Sequence, residues 1–339
     1  MDYPGEKLLT RLWETLAEKG IGSLFAPWQA RRMGRAQIDT RRDELLALAQ
    51  AEKDAEDIRA GKLTYQGGEI LPASMPEGRQ RSDGRIEPVL DAPALLHEVQ
   101  KRQLHEEIRR EVNVAKAVAV AEEVLEGDEQ EPPGSKVNED WLYSWRDYAG
   151  RVSSEELQDL WGRILAGEVK NPGSYSLRTL EFLKGLSKSE AETISKVAKF
   201  VIDGLIVRNM DEFLEREGVR FSDLLFLQEL GVLSGVESIG LTKKFSSRAK
   251  DKYVQYLFAK DKVVILEGED PNHVVELPVY LVTSIGKEIL KLAAFSIDSD
   301  YLESVAKGLV SEKVSVKIAD WIEVTANSGR YSNERRVDV

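Results

Sequence analysis

The residues whose types and spacing suggest chemistry most directly lie between 243 and 262. There Lys243, Lys244, Arg248, Lys250, Lys252, Lys260 and Lys262 are opposed only by Asp251 and Asp261, and Phe245, Tyr253, Tyr256 and Phe258 interleave with them. Cationic side chains beside aromatic rings are what contact with phosphates and stacking on bases would use. A solvated lysine face over a buried aromatic row satisfies the same pattern, and the sequence favours that reading. The chain as a whole is acidic, with 47 Lys and Arg against 59 Asp and Glu and a formal net charge of -12. That balance disfavours indiscriminate attachment to nucleic acid and leaves room only for a local basic face.

Catalytic constellations are scarce. The histidines, His97, His105 and His273, show no HExxH or other metal-ligand spacing. His97 and His105 stand about two helical turns apart, too far for the i, i+3 or i, i+4 pair that holds a shared ion. The serine pairs Ser153-Ser154 and Ser246-Ser247 lack the strand–turn–helix setting of a nucleophile elbow. There is no dinucleotide-binding glycine fingerprint and no phosphate loop; the run QGGEILPASMPEGR lacks the Gly-Lys-Ser/Thr ending. With no cysteine there is neither a disulfide nor a thiolate site. No catalytic residue, metal or cofactor is expected. The N-terminal residues lack the pattern of a secretory leader, no apolar run reaches membrane-spanning length, and a cytoplasmic setting is the expectation.

A second candidate contact surface lies near the start. Leu8, Leu9, Leu12, Trp13 and Leu16 share one side of a helix. The apolar knuckle GIGSLFAPW follows, then a cluster in which Arg31, Arg32, Arg35, Arg41 and Arg42 face only Asp39. Trp13, Phe25, Trp28, Arg31, Arg32 and Arg35 are therefore candidates for peripheral membrane or partner contact. Packing of Leu and Trp on the body of the protein, with the arginines solvated, is the favoured alternative, because the polar side of the first helix mixes both signs of charge.

The elements that would position these groups read mostly as helices. Residues 140–186 combine aromatic density, caps and apolar periodicity. Trp141, Trp145 and Tyr148 recur at i, i+4 and i+7, and Ser153 with Glu156 forms a capping box. Leu157, Leu160, Trp161, Ile164 and Leu165 make a core-facing stripe, the Asn171-Pro172-Gly173-Ser174 turn follows, and Ser187 with Glu190 forms a second capping box. Trp141, Trp145 and Trp161 are the expected structural core. The expected segments are N-terminal helices (1–60), a Pro/Gly-rich linker (61–93), and a long helix with an acidic linker (94–134). A central helical core (135–210) follows, then an α+β unit (211–326) and a polar, frayed tail (327–339). A helix is expected over 190–207, and a hairpin is expected to join strands 262–267 and 273–282. With the short apolar helix at 221–230, this gives a winged-helix-like order, although Asp223 and Glu229 on that helix would repel phosphates. The expected fold class is mainly α: long N-terminal helices and a central Trp/Leu-rich helical core, followed by a small α+β winged-helix-like C-terminal domain.

The reading SSEELQDLWGRILAGEVKNPGSYSLRTLEFLKGLSKSEA resembles a bacterial family known as domain of unknown function 2806. The opening, IGSLFAPWQARRMGRA followed by RRDELLALAQAEKDA, is similar to the same family, so the resemblance covers most of the chain. That family supplies no catalytic residues to carry over. A more distant resemblance is to the abortive-infection alpha group, which pairs an N-terminal Gly/Pro knuckle with a later Leu-Gln…Trp…Leu-Ala helix and implies a phage-defence or mobile-element setting. The resulting expectation is a non-catalytic oligomeric interaction protein, with a homo-oligomer or another protein as partner. A nucleic-acid-binding protein is the alternative, and a peripheral membrane-associated effector a further one.

Overall fold

The computed structural model describes residues 5–17, 46–48, 50–51, 53–59, 63–66, 69–72, 79–80, 86–87 and 92–338, save 129, 239, 293–294 and 326–327. Phe25, Trp28, Arg31, Arg32 and Arg35 lie outside the described residues. Two compact units divide the chain, Met1–Tyr175 and Ser176–Val339.

The first unit is built on helices α1 (Glu6–Ala17), α2 (Ala92–Leu125), α3 (Glu139–Arg151) and α4 (Glu155–Lys170). Apolar residues at helical spacing drive their packing. Leu8, Leu12 and Leu16 of α1, Ala117, Ala121 and Leu125 of α2, Trp145 of α3, and Ile164 and Leu165 of α4 are all buried. Trp145 donates its Nε1–H to the Trp161 carbonyl at 2.9 Å, so its one polar atom is satisfied inside the core. Trp141 and Trp161 are buried with it. The cap of α4 is Ser154, not Ser153: its Oγ accepts the Leu157 N–H. Between α1 and α2 lie two short antiparallel pairs, β1 (Leu63–Gln66) with β2 (Glu69–Pro72) and β3 (Arg79–Gln80) with β4 (Ile86–Glu87).

The second unit overturns the mainly α expectation. Beside its helices the C-terminal half holds two antiparallel sheets, and the protein is therefore α+β and not mainly α. After α5 (Leu177–Lys184) and α6 (Lys188–Ala198), whose Ser187–Glu190 capping box is present, comes strand β5 (Leu205–Val207). The helix expected over 190–207 thus stops early. Asp203 and Gly204 both have positive φ, 52° and 72°, and form a reversal that a helix cannot contain. Helices α7 (Asp211–Arg216) and α8 (Phe221–Glu229) lead to β6 (Leu233–Ser234), β7 (Thr242–Ser246), β8 (Tyr253–Ala259), β9 (Lys262–Gly268) and β10 (Val274–Val282). Helices α9 (Ser284–Leu292) and α10 (Ser299–Leu309) precede β11 (Ser315–Thr325) and β12 (Ser328–Arg336).

One sheet runs β5-β10-β6, with β7 pairing β10 beyond it; the other runs β12-β11-β9-β8. The expected hairpin of 262–267 with 273–282 does not form. β9 pairs β8 and β11, while β10 pairs β5, β6 and β7, so the two strands belong to different sheets. The basic stretch 243–262, to which the sequence reading assigned no secondary structure, supplies most of β7 and all of β8. The tail expected to fray is held as β12, where Trp321 pairs with Tyr331 and Lys317 bonds Glu334 at 3.2 Å.

Candidate nucleic-acid interface

Two chain reversals in the second unit lie against each other. In the first, Ile202 bridges Leu205 around Asp203-Gly204. In the second, Ala259 pairs with Lys262 around Lys260-Asp261, and Lys260 sits at φ 57°, a left-handed conformation that a lysine rarely adopts. The Asp203 N–H donates to the Phe258 carbonyl at 2.6 Å, and the Trp321 N–H donates to the Asp261 carbonyl at 2.8 Å. Backbone bonds therefore fix both reversals to the second sheet, the first at its edge strand β8 and the second at the inner strand β11. Helix α9 adds Lys287 and Lys291, which at i, i+4 share one face. A Cβ built on Gly204 would meet the Lys287 Cε at 2.6 Å, so the glycine both adopts the turn and leaves room for the lysine stem.

Together these groups enclose an open cleft of 980 Å³. Lys260, Lys287 and Lys291 line it with Asp203, Asp261, Phe258, Phe295 and Trp321. The Lys260 ammonium lies 5.0 Å from the centre of the Phe295 ring. Burial pushes the Asp203 carboxyl above its ordinary range, and Arg248, Lys287, the Phe258 backbone and Lys243 hold it back. The lining thus carries three lysines and two aspartates, and Arg248 and Lys243 also act on the Asp203 carboxyl.

From this cleft an aromatic row extends over the second sheet. Phe258 and Trp321 have ring centres 4.8 Å apart, Tyr256 and Phe258 6.4 Å apart, and Tyr256 and Tyr331 6.3 Å apart. Arg248 reaches over Phe258 at 5.9 Å while its Nε–H donates to Gln255 Oε1 at 2.7 Å.

The seven cations singled out in the sequence do not form one face. Lys243 and Arg248 act on Asp203, and Lys260 lines the cleft. Lys244, Lys252 and Lys262 are engaged with Glu276, Glu267 and Asp320 respectively, and Lys250 is exposed in the β7–β8 loop. Among the interleaved aromatics, Phe245 and Tyr253 are buried, whereas Tyr256 and Phe258 are only partly so. In the first unit Trp13 is buried and donates its Nε1–H to Glu122 at 2.7 Å, which places it in the interior of the helical packing. Sequence reasoning missed Asp203, Lys287, Lys291, Phe295, Trp321 and Tyr331. The Asp-Gly dipeptide between Val201-Ile202 and Leu205-Ile206 was the available signal. Among the described residues no group of His, Cys, Asp or Glu is arranged to hold a metal ion, and no helix is long and apolar enough to cross a membrane.

A family model described as a protein of unknown function, DUF2806, matches residues 97–306. The chain belongs to this family. The match runs from α2 into α10, so it includes both reversals, Lys287, Lys291 and Phe295, while Trp321 and Tyr331 follow its end. No curated protein and no solved structure matches the chain.

Proposed function

We propose that this chain acts by binding nucleic acid, taking the phosphate backbone into the cleft of its second unit. The observation that carries the reading is the convergence of Lys260, Lys287 and Lys291 with Phe258, Phe295 and Trp321 around one open cleft. Ammonium groups neutralise phosphates and release their counterions, and flat rings beside them meet sugars and bases. The cleft is at the upper end of small-molecule pocket volumes and open along its length, which suits a polymer better than an enclosed metabolite. The surface differs from the one the winged-helix reading would use, and α8, with Asp223 and Glu229, takes no part in it.

The test is charge reversal of Lys260, Lys287 and Lys291 together, with Lys313→Glu at the opposite end of β11 as control. Binding of a labelled oligonucleotide at low salt should weaken steeply, and the dependence of log affinity on log salt should flatten by about one unit per lysine that contacts a phosphate. Unchanged affinity and slope in the triple variant would refute the assignment.

A further inference from the structure

We infer that the open face of the β12-β11-β9-β8 sheet is a stacking platform for unpaired bases, so that the strand entering the cleft is single rather than double; this rests on the nucleic-acid reading above. The inference starts from the period of two along a strand. On β8 the odd positions Tyr253, Gln255, Leu257 and Ala259 are buried, and of the even positions on the other face Val254 is buried while Tyr256 and Phe258 stay partly exposed. Register then carries that face across the sheet: Tyr256 opposes Ile265 and Phe258 opposes Val263 on β9, and Val263 opposes Ala319 on β11. Trp321 follows two residues after Ala319, and its partner on β12 is Tyr331. Val263, Ile265 and Ala319 form a small aliphatic base on which Tyr256, Phe258 and Trp321 lie. Helix α10 serves the opposite face, since its Glu303 bonds Arg335, whose cross-strand partner Ile318 points away from Ala319.

What remains is a contiguous patch of four rings, with Tyr331 44% exposed, Arg248 above Phe258 and the lysines of the cleft at one end. Charge complementarity selects the occupant. Rings flanked by cations suit a polymer that alternates flat aromatic groups with anionic links, and a duplex cannot present its base faces. Rings and ammonium groups meet features that DNA and RNA strands share, so the two should bind alike.

The experiment is fluorescence anisotropy of the full chain with labelled dT20, labelled U20 and a 20-bp duplex at low salt, on wild type, Tyr331→Leu and the ring-retaining Tyr331→Phe. Circular dichroism checks the fold, and light scattering the oligomeric state. The expected result is a preference for both single strands over the duplex of about tenfold or more. Tyr331→Leu should lower single-strand affinity by a similar factor and leave duplex binding unchanged, while Tyr331→Phe behaves as wild type. Equal affinity for strand and duplex, with Tyr331→Leu indistinguishable from wild type, would overturn the platform and leave the cleft standing. No binding of any oligonucleotide by wild type would overturn the cleft and the platform together. A change of oligomeric state in Tyr331→Leu alone would show the face to be covered by a second copy of the chain, and would also overturn it.

Discussion

Asp203 links backbone, charge and function at the scale of one residue. It occupies a left-handed position that Asp and Asn both tolerate, so Asp203→Asn changes charge with little conformational strain. Burial raises its carboxyl above its ordinary value of 3.8, which means the folded state binds this proton more tightly than the unfolded state does. Stability from this group is therefore fully present below 3.8 and lost as pH rises through the raised folded value. The Asn variant should lack that loss: measured by urea denaturation across the acidic range, it should gain on wild type as pH rises through this window. The substitution also removes a negative charge facing Lys287, Arg248 and Lys243, so oligonucleotide affinity at neutral pH should rise. A variant that binds more weakly, or that keeps the wild-type pH dependence, would contradict this role.

At the scale of elements, what could be read in the sequence depended on how local the signal was. The helices of the first unit announce themselves because periodicity and caps are properties of neighbouring residues, and Ser187 with Glu190 is a capping box as read. The α4 cap moved by one residue because Ser153 and Ser154 are chemically equivalent candidates and only geometry selects between them. Strand pairing was not legible. β9 and β10 look like a hairpin because five turn-forming residues join two β-branched runs, yet β9 instead closes a two-residue hairpin with the preceding Tyr253–Ala259 and takes the distant Ser315–Thr325 on its other side, while β10 pairs the distant Leu205–Val207. The cleft was hidden for the same reason, since its residues come from β5's approach, the β8–β9 turn, α9 and β11. Gly162 shows a tertiary requirement concealed inside a legible helix. A Cβ there would lie 2.5 Å from the Val120 Cβ and 2.7 Å from the Ala117 carbonyl oxygen, so α2 and α4 touch through this glycine. Helix propensity alone would make Gly162→Ala stabilising by about 1 kcal/mol, whereas overpacking should destabilise the fold by about 1–3 kcal/mol. Chemical denaturation decides between them, and a stabilised variant would show that the helices can move apart.

Across the whole molecule, charge is unevenly placed. Acidic and basic residues nearly balance in 176–339, and most of the excess acid belongs to 1–175. A chain with a net charge of -12 can therefore carry a basic cleft without binding polyanions everywhere. The family model spans the boundary between the two units, so the match takes in parts of both. The central claim is that the cleft holds phosphates, and the most direct measurement is the affinity of the full wild-type chain for a labelled single-stranded oligonucleotide, titrated from low to physiological salt. Binding at low salt whose log affinity falls linearly with log salt is expected, with a slope of about 0.7 per phosphate contacted. Absence of binding at low salt, or an affinity indifferent to salt, would contradict it.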